Sequence, residues 1–299
     1  MQDRFRFLAR KRSSGIPSAA AALVLGAAAL PVRAQTRGVG ALLNGVSYDI
    51  RVSSTPTAGL GMAAAMGAAA QDYTGHAVFV GRRGRLDIVD GGVAALLSKG
   101  DYVLFDSSGI TVVHPAKQEY VPVSAQMASD AFAQLQALGV QISLGDLKVA
   151  LDTLRDADTV AGFPTRHFRM TTAFTMSLDA AIMQQRFAAE SITDYWVASV
   201  PGLPADALLR VNSLTTAPLT GVFKELAAKV DSAAALMGSG AALKSKTVSR
   251  FIQGPGSSVT TEQTSEVSNV KRTQVAETLF AVPTGFRKGA IGTDVLKSG

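Results

Sequence analysis

The chain has 299 residues, no cysteine, 47% hydrophobic and 17% charged residues, and a formal net charge of +6. The missing cysteines exclude disulfides, thiolate metal sites, a cysteine nucleophile and the acylated cysteine of a bacterial lipoprotein. Six of the 29 basic side chains but only one of the 23 acidic ones fall in residues 1–34, so the remainder is close to neutral and lacks the concentrated basic surface of a nucleic-acid binder.

Those first 34 residues read as a cleaved secretory signal. Arg4, Arg6, Arg10, Lys11 and Arg12 form a basic start, an Ala/Leu-rich run extends from Ile16 to Leu30, and Val32-Arg33-Ala34 offers a peptidase site before Gln35. The run is interrupted by Gly26 and Pro31 and falls short of the roughly 20 apolar residues that a membrane-spanning helix needs. The expected location is therefore periplasmic, with one domain over 35–299 and no transmembrane segment in it.

Within that domain, Gly45 to Ser54 alternates apolar and polar residues and predicts a first strand. An Ala/Gly/Met-rich stretch at 56–71 reads as a low-complexity loop or weak helix. His76 to Asp90 predicts a hairpin turning at Arg82-Arg83-Gly84, and Asp101–Phe105 with Ile110–His114 predicts another through Asp106 to Gly109. Tyr120 to Val123 closes this sheet region. Ser124 caps an expected helix to Leu138, stopped by Gly139, with Met127, Phe132, Leu135 and Leu138 near one face.

After a mixed stretch, Arg166 to Leu178 is the cleanest alternation in the chain. Phe168, Met170, Phe174, Met176 and Leu178 point one way, and His167, Arg169, Thr171, Thr175 and Ser177 the other. Ile192 to Val200 predicts a strand carrying the single tryptophan, Trp196. Pro218 to Met237 predicts a helix with a Val222, Leu226, Val230 stripe. Leu243–Gln253, Ser258–Ser268 and Val270–Phe280 predict three strands. Runs of strands broken by a few helices indicate an α+β antiparallel layer structure rather than a parallel doubly wound sheet.

The chain also resembles a known set of proteins. Gly162-Phe163-Pro164 before the Arg166 strand, Thr193-Asp194-Tyr195-Trp196-Val197 with Pro201-Gly202-Leu203, the helix followed by long strands, and Phe280-Ala281-Val282-Pro283-Thr284-Gly285-Phe286 carry the likeness. With gaps over Val46 to Lys288, these resemble an uncharacterised family of exported bacterial proteins sharing the half-barrel of periplasmic lipoprotein carriers (LolA-like). The resemblance implies a curved antiparallel sheet of ten or eleven strands, helices over its concave apolar face, and a cavity that in the carriers holds acyl chains. The carriers use an Arg on an early strand to hold the helical lid. Arg85 lies in a comparable hairpin among different neighbours, and no role is transferred to it.

Catalytic and metal signatures are absent. His76, His114 and His167 have no metal-ligand spacing and read as solvated or hydrogen-bonded groups. There is no Gly-x-Ser-x-Gly elbow, and Gly256-Ser257-Ser258 reads as a turn. Gly38-x-Gly40 and Gly59-x-Gly61 open no βαβ unit, and Gly240 to Ser245 lacks the glycine a phosphate loop needs before Lys244. Asp146, Asp152, Asp156 and Asp158 lack EF-hand spacing and read as a solvated face. No cofactor is expected, and the chain is expected not to be an enzyme. The apolar face of the Arg166 strand remains: Phe168, Met170, Phe174, Met176 and, with them, Trp196 are either ordinary core or the lining of a cavity for a lipid, lipopeptide or other apolar ligand. The other expectation is a structural or interaction protein of the envelope with a filled core.

Overall fold

The computed structural model describes residues 41–289 except 56–70, 94–95, 108, 124–128, 131–132, 134–135, 181–182, 213–222 and 255–256. The expected leader and nearly all of the Ala/Gly/Met loop lie outside the described residues.

The strands are β1 (Leu42–Thr55), β2 (Gln71–Val80), β3 (Arg83–Val93), β4 (Leu97–Ser98), β5 (Tyr102–Phe105), β6 (Ile110–His114), β7 (Glu119–Val123), β8 (Gln141–Leu154), β9 (Thr159–Val160), β10 (Phe163–Pro164), β11 (Arg166–Ala180), β12 (Met183–Ala198), β13 (Ala241–Gly254), β14 (Ser257–Ala276) and β15 (Arg287–Lys288). Thirteen of them form one sheet in the order β15-β7-β6-β5-β3-β2-β1-β14-β13-β12-β11-β8, with β4 on β3. All its pairings are antiparallel except the short β15–β7 contact. The sheet does not close, and β15 and β8 are its edges. Among the described residues helices are few: α1 (Lys224–Ala235), a turn at 207–212, and exposed helical positions between 129 and 137. The protein is thus a mostly β structure built on a large open antiparallel sheet, with less helix than an even α+β balance.

Alternation sorts side chains onto the two sides of this sheet. Val46, Tyr48, Ile50 and Val52 of β1 share the inner face with Tyr73, Ala77 and Phe79 of β2 and with Leu86 and Ile88 of β3, and all are buried. Ala207, Leu208 and Val211 of the helical turn, and Ala233 of α1 with Met237 just beyond it, join the same cluster. On the opposite face Tyr102, Leu104 and Val113 form a smaller cluster, against which Tyr120 and the C-terminal Val282 and Phe286 pack.

Four sequence expectations are corrected. The β2–β3 turn is Gly81-Arg82, with Val80 opposite Arg83, because Gly81 takes the left-handed φ of 56° that a tight turn requires. The mixed stretch after Gly139 is the 14-residue strand β8. Residues 207–212 are helical, a turn the pattern did not reveal. The two final strands expected at 258–268 and 270–280 are one continuous 20-residue strand, β14, followed by a short 3-10 turn at Glu277–Phe280. Asn269 adopts φ 52° at the point where a break was expected, and the pairing of β14 with β1 shifts register beside it. It is a bulge within the ladder.

Candidate functional site

The inner face of the long-stranded half is where the expected site residues fall. β11 pairs with β12 so that Phe168 stands opposite Tyr195, Met170 opposite Thr193, Phe174 opposite Ala189 and Met176 opposite Phe187. Phe168 and Met170, 3% and 7% exposed, belong to the continuous core cluster that contains Leu208 and Val211. That end of the face is filled. Phe174 is half-buried, while Met176 and Phe187 are both 5% exposed, and these three stand outside the cluster.

A band of polar side chains separates the two ends. Thr193 Oγ1 lies 3.1 Å from Thr247 Oγ1, and Ser191 Oγ lies 3.1 Å from Ser249 Oγ. Asn212 donates to Ser245 Oγ at 3.1 Å and accepts from Ser265 Oγ at 3.0 Å, which ties the 207–212 turn to β13 and β14. Each hydroxyl so paired avoids the penalty of burial without a partner. Two phenols escape that rule: the hydroxyls of Tyr48 and Tyr73 are buried with no hydrogen-bond partner among the described residues. Burial pushes both phenols well above the usual tyrosine range.

Beyond the polar band, β8 carries a bulge that shapes a cavity. Asp146 adopts φ 52°, and the β8–β11 pairing shifts register at this level. The extra residue resets the alternation, so Leu144, opposite Met176, and Leu147, three positions on, reach the same inner face. With Phe223, immediately before α1, they line a cavity of about 300 Å³ that also meets Asp146, Lys224 and Glu225. Thr175 Oγ1 and Arg186 Nη2 donate to Asp146 Oδ2 at 3.0 and 3.2 Å, which holds the bulged residue in place.

Trp196 is partly buried and packs against the core cluster, but from the other side of its strand than Tyr195. It stands opposite His167 on the outer side, where the two rings stack 4.5 Å apart, and the Lys244 ammonium sits 5.1 Å from the indole. Partner choice and strand parity decided this: Tyr195, its neighbour, takes the inner position, and burial pushes the Tyr195 phenol up to about 12.

Each of the three histidines has found an aspartate distant in sequence, a pairing that sequence spacing could not reveal. His76 Nδ1 lies 2.7 Å from Asp49 Oδ1, His114 Nδ1 3.0 Å from Asp101 Oδ2, and His167 Nδ1 2.7 Å from Asp156 Oδ2. His167 Nε2 lies 3.3 Å from Asp194 Oδ1 without completing a hydrogen bond, and that carboxylate accepts both arms of Arg169 at 2.8 and 3.0 Å. Hydrogen bonds from His76 and Asn269 hold the Asp49 carboxyl below its usual range, and the His167 contact does the same for Asp156. No nucleophile stands in these pairs, and no group of three ligating side chains converges on a metal position among the described residues. Arg85 pairs with Asp87 at 2.6 Å, lies 3.7 Å over the Tyr102 ring, and donates to Leu279 O of the short 3-10 turn at 3.4 Å, so it fastens the C-terminal segment.

No family model matches the chain, and no curated protein matches its sequence.

Proposed function

We propose that the protein is a non-enzymatic periplasmic binding or carrier-like module. It takes a lipid, lipopeptide or other apolar ligand on the inner face of the long-stranded half, under α1, with the sheet bent there into the half-barrel that the LolA-like resemblance implies. The observation that carries this reading is the cavity of about 300 Å³ whose wall joins Leu144, Leu147 and Phe223 to the polar Asp146, Lys224 and Glu225. Its volume is at the lower end for small-molecule sites, which start at roughly 300 Å³. Met176 stands opposite Leu144 of the cavity wall and Phe187 opposite Met176, an adaptable thioether and a ring outside the main core cluster. Each methylene of an acyl chain entering such a site releases about 0.8 kcal/mol, so binding needs shape and dryness rather than catalytic groups.

Native mass spectrometry and organic extraction of the purified full chain test this. The expected result is copurifying lipid, or saturable uptake of a fluorescent fatty-acid probe, lost in Leu144→Glu and kept in the outer-face variant Lys246→Ala. Failure to bind any acyl probe, with every variant folded, overturns it.

The second reading is an envelope interaction protein with a filled core. It is favoured by the burial of Phe168 and Met170 within the main core cluster. It predicts a dry protein with no bound lipid whose interior substitutions change stability alone.

A further inference from the structure

A row of charges crosses the outer face of the long-stranded half and alternates in sign from strand to strand. Glu262 of β14 lies 2.9 Å from Lys246 of β13, Lys246 stands opposite Asp194 of β12, Asp194 accepts the two-armed bond from Arg169 of β11, and Arg169 stands opposite Asp152 of β8. Lys246, Asp194 and Arg169 therefore each have a neighbour of opposite charge on either side, and the row then reaches the sheet edge. There it ends on the exposed carboxylate of Asp152, with no strand beyond β8 among the described residues. A strand added at that edge would continue the row by presenting a cation opposite Asp152.

β8 itself carries that cation. Lys148 is exposed on the same outer face, four residues before Asp152, and its own cross-strand neighbour is the uncharged Ala173. We infer that β8 is the contact edge of a symmetric dimer, in which β8 of one copy pairs antiparallel with β8 of a second copy about Ala150. In that register Lys148 faces Asp152 of the second copy and Asp152 faces its Lys148, so two ion pairs form around the dyad. Two-fold symmetry requires such self-complementarity of one patch with itself.

The competing registers are penalised. Sliding the strands by two residues one way sets Asp146 against Asp152, and by four sets Lys148 against Lys148, whereas sliding by two the other way leaves both charges facing apolar residues. Like charges directly opposite destabilise a strand pair, and opposite charges support it. The bulge at Asp146 bounds the pairing at one end, so the regular segment from Lys148 to Leu154 is what remains to pair. A free edge of this length ordinarily invites uncontrolled pairing. Here its charges select one partner and one register. The inference stands apart from whatever fills the cavity, since it uses the opposite face and the backbone edge.

The test is sedimentation velocity of the full chain across a concentration series, in low and high salt. A reversible dimer that weakens with salt is expected. Lys148→Asp and Asp152→Lys each replace both ion pairs with like-charge pairs, so each alone weakens dimerisation about tenfold or more. Mixing the two variants restores a heterodimer. The introduced carboxylate of the first variant then faces the introduced ammonium of the second, and the native Asp152 of the first faces the native Lys148 of the second. Both positions are exposed, and unchanged circular dichroism of each variant verifies folding. A chain that stays monomeric at every concentration overturns the inference and leaves the edge to a foreign strand. So does a dimer indifferent to either single variant, or a mixture that does not associate.

Discussion

β5 and β8 belong to one sheet and share almost nothing else. All four residues of β5, Tyr102 to Phe105, are buried, because the main core covers one side and the C-terminal segment the other. Not one of the 14 residues of β8 is buried, although its inner face meets α1. The first region is a strand sealed on both faces, of the kind that reads as a continuous apolar run. The second is an edge strand covered on one face, with spare backbone groups and an adjoining cavity. Buried packing is concentrated around β5 and its neighbours β3, β2 and β1, and the partly covered face lies along β8. Interiors at crystal-like density tolerate little change, whereas a partly covered face can admit another molecule.

The largest expected effect tests the sealed region. Phe79 is fully buried, with its ring between those of Tyr48 and Phe105 at 6.0 and 5.9 Å. Phe79→Ala should cost about 3–5 kcal/mol in urea unfolding. Met176→Ala, outside the main core cluster, should fall near the lower limit for such truncations, about 2 kcal/mol. Equal losses at the two positions would erase the contrast drawn between the regions.

Gly91 holds φ 72°, and a Cβ there would collide with the carbonyl oxygen of Asp72. Gly91→Ala should therefore destabilise by about 1–3 kcal/mol, seen as a lowered Tm.

Alkaline titration probes the phenols. Tyr48, Tyr73 and Tyr195 are all raised by burial, Tyr195 to about 12. Because the folded state holds their protons more tightly than the unfolded chain, their contribution is complete below about pH 10 and declines as pH rises through the folded values. Their ultraviolet ionisation signal should thus coincide with loss of circular dichroism. Stepwise ionisation in a still-folded protein would show that the phenols are not sealed.

The smallest effect is the most discriminating. Tyr48→Phe and Tyr73→Phe delete hydroxyls that lack partners, so thermal melts should show no loss of stability, or a small gain. A loss above about 1 kcal/mol would mean that a ligand or water satisfies them in the native protein.

How much of this was readable in the residues depends on how strictly each strand alternates. Arg166 to Ala180 keeps its alternation unbroken, and β11 was legible almost to the residue. Gln141 to Leu154 does not: Ile142 and Leu144 are followed by Leu147, Val149 and Leu151, a change of phase at Gly145-Asp146 that hid a whole strand. Asn269 likewise made β14 look like two elements. Trp196 shows the limit at a single position. The strand around it was evident, but its side depended on which residue of β11 stood opposite.

By itself the sequence determined that this chain builds antiparallel strands with one greasy side, forms no disulfide, and carries no recognisable catalytic motif. Tertiary structure alone decided which strands are edges, where the phase of alternation slips, and which carboxylate meets which histidine. The reason is range: alternation and turn chemistry act over a few neighbouring residues, while pairing across the sheet joins positions such as Arg83 and Glu277 that only the folded chain brings together.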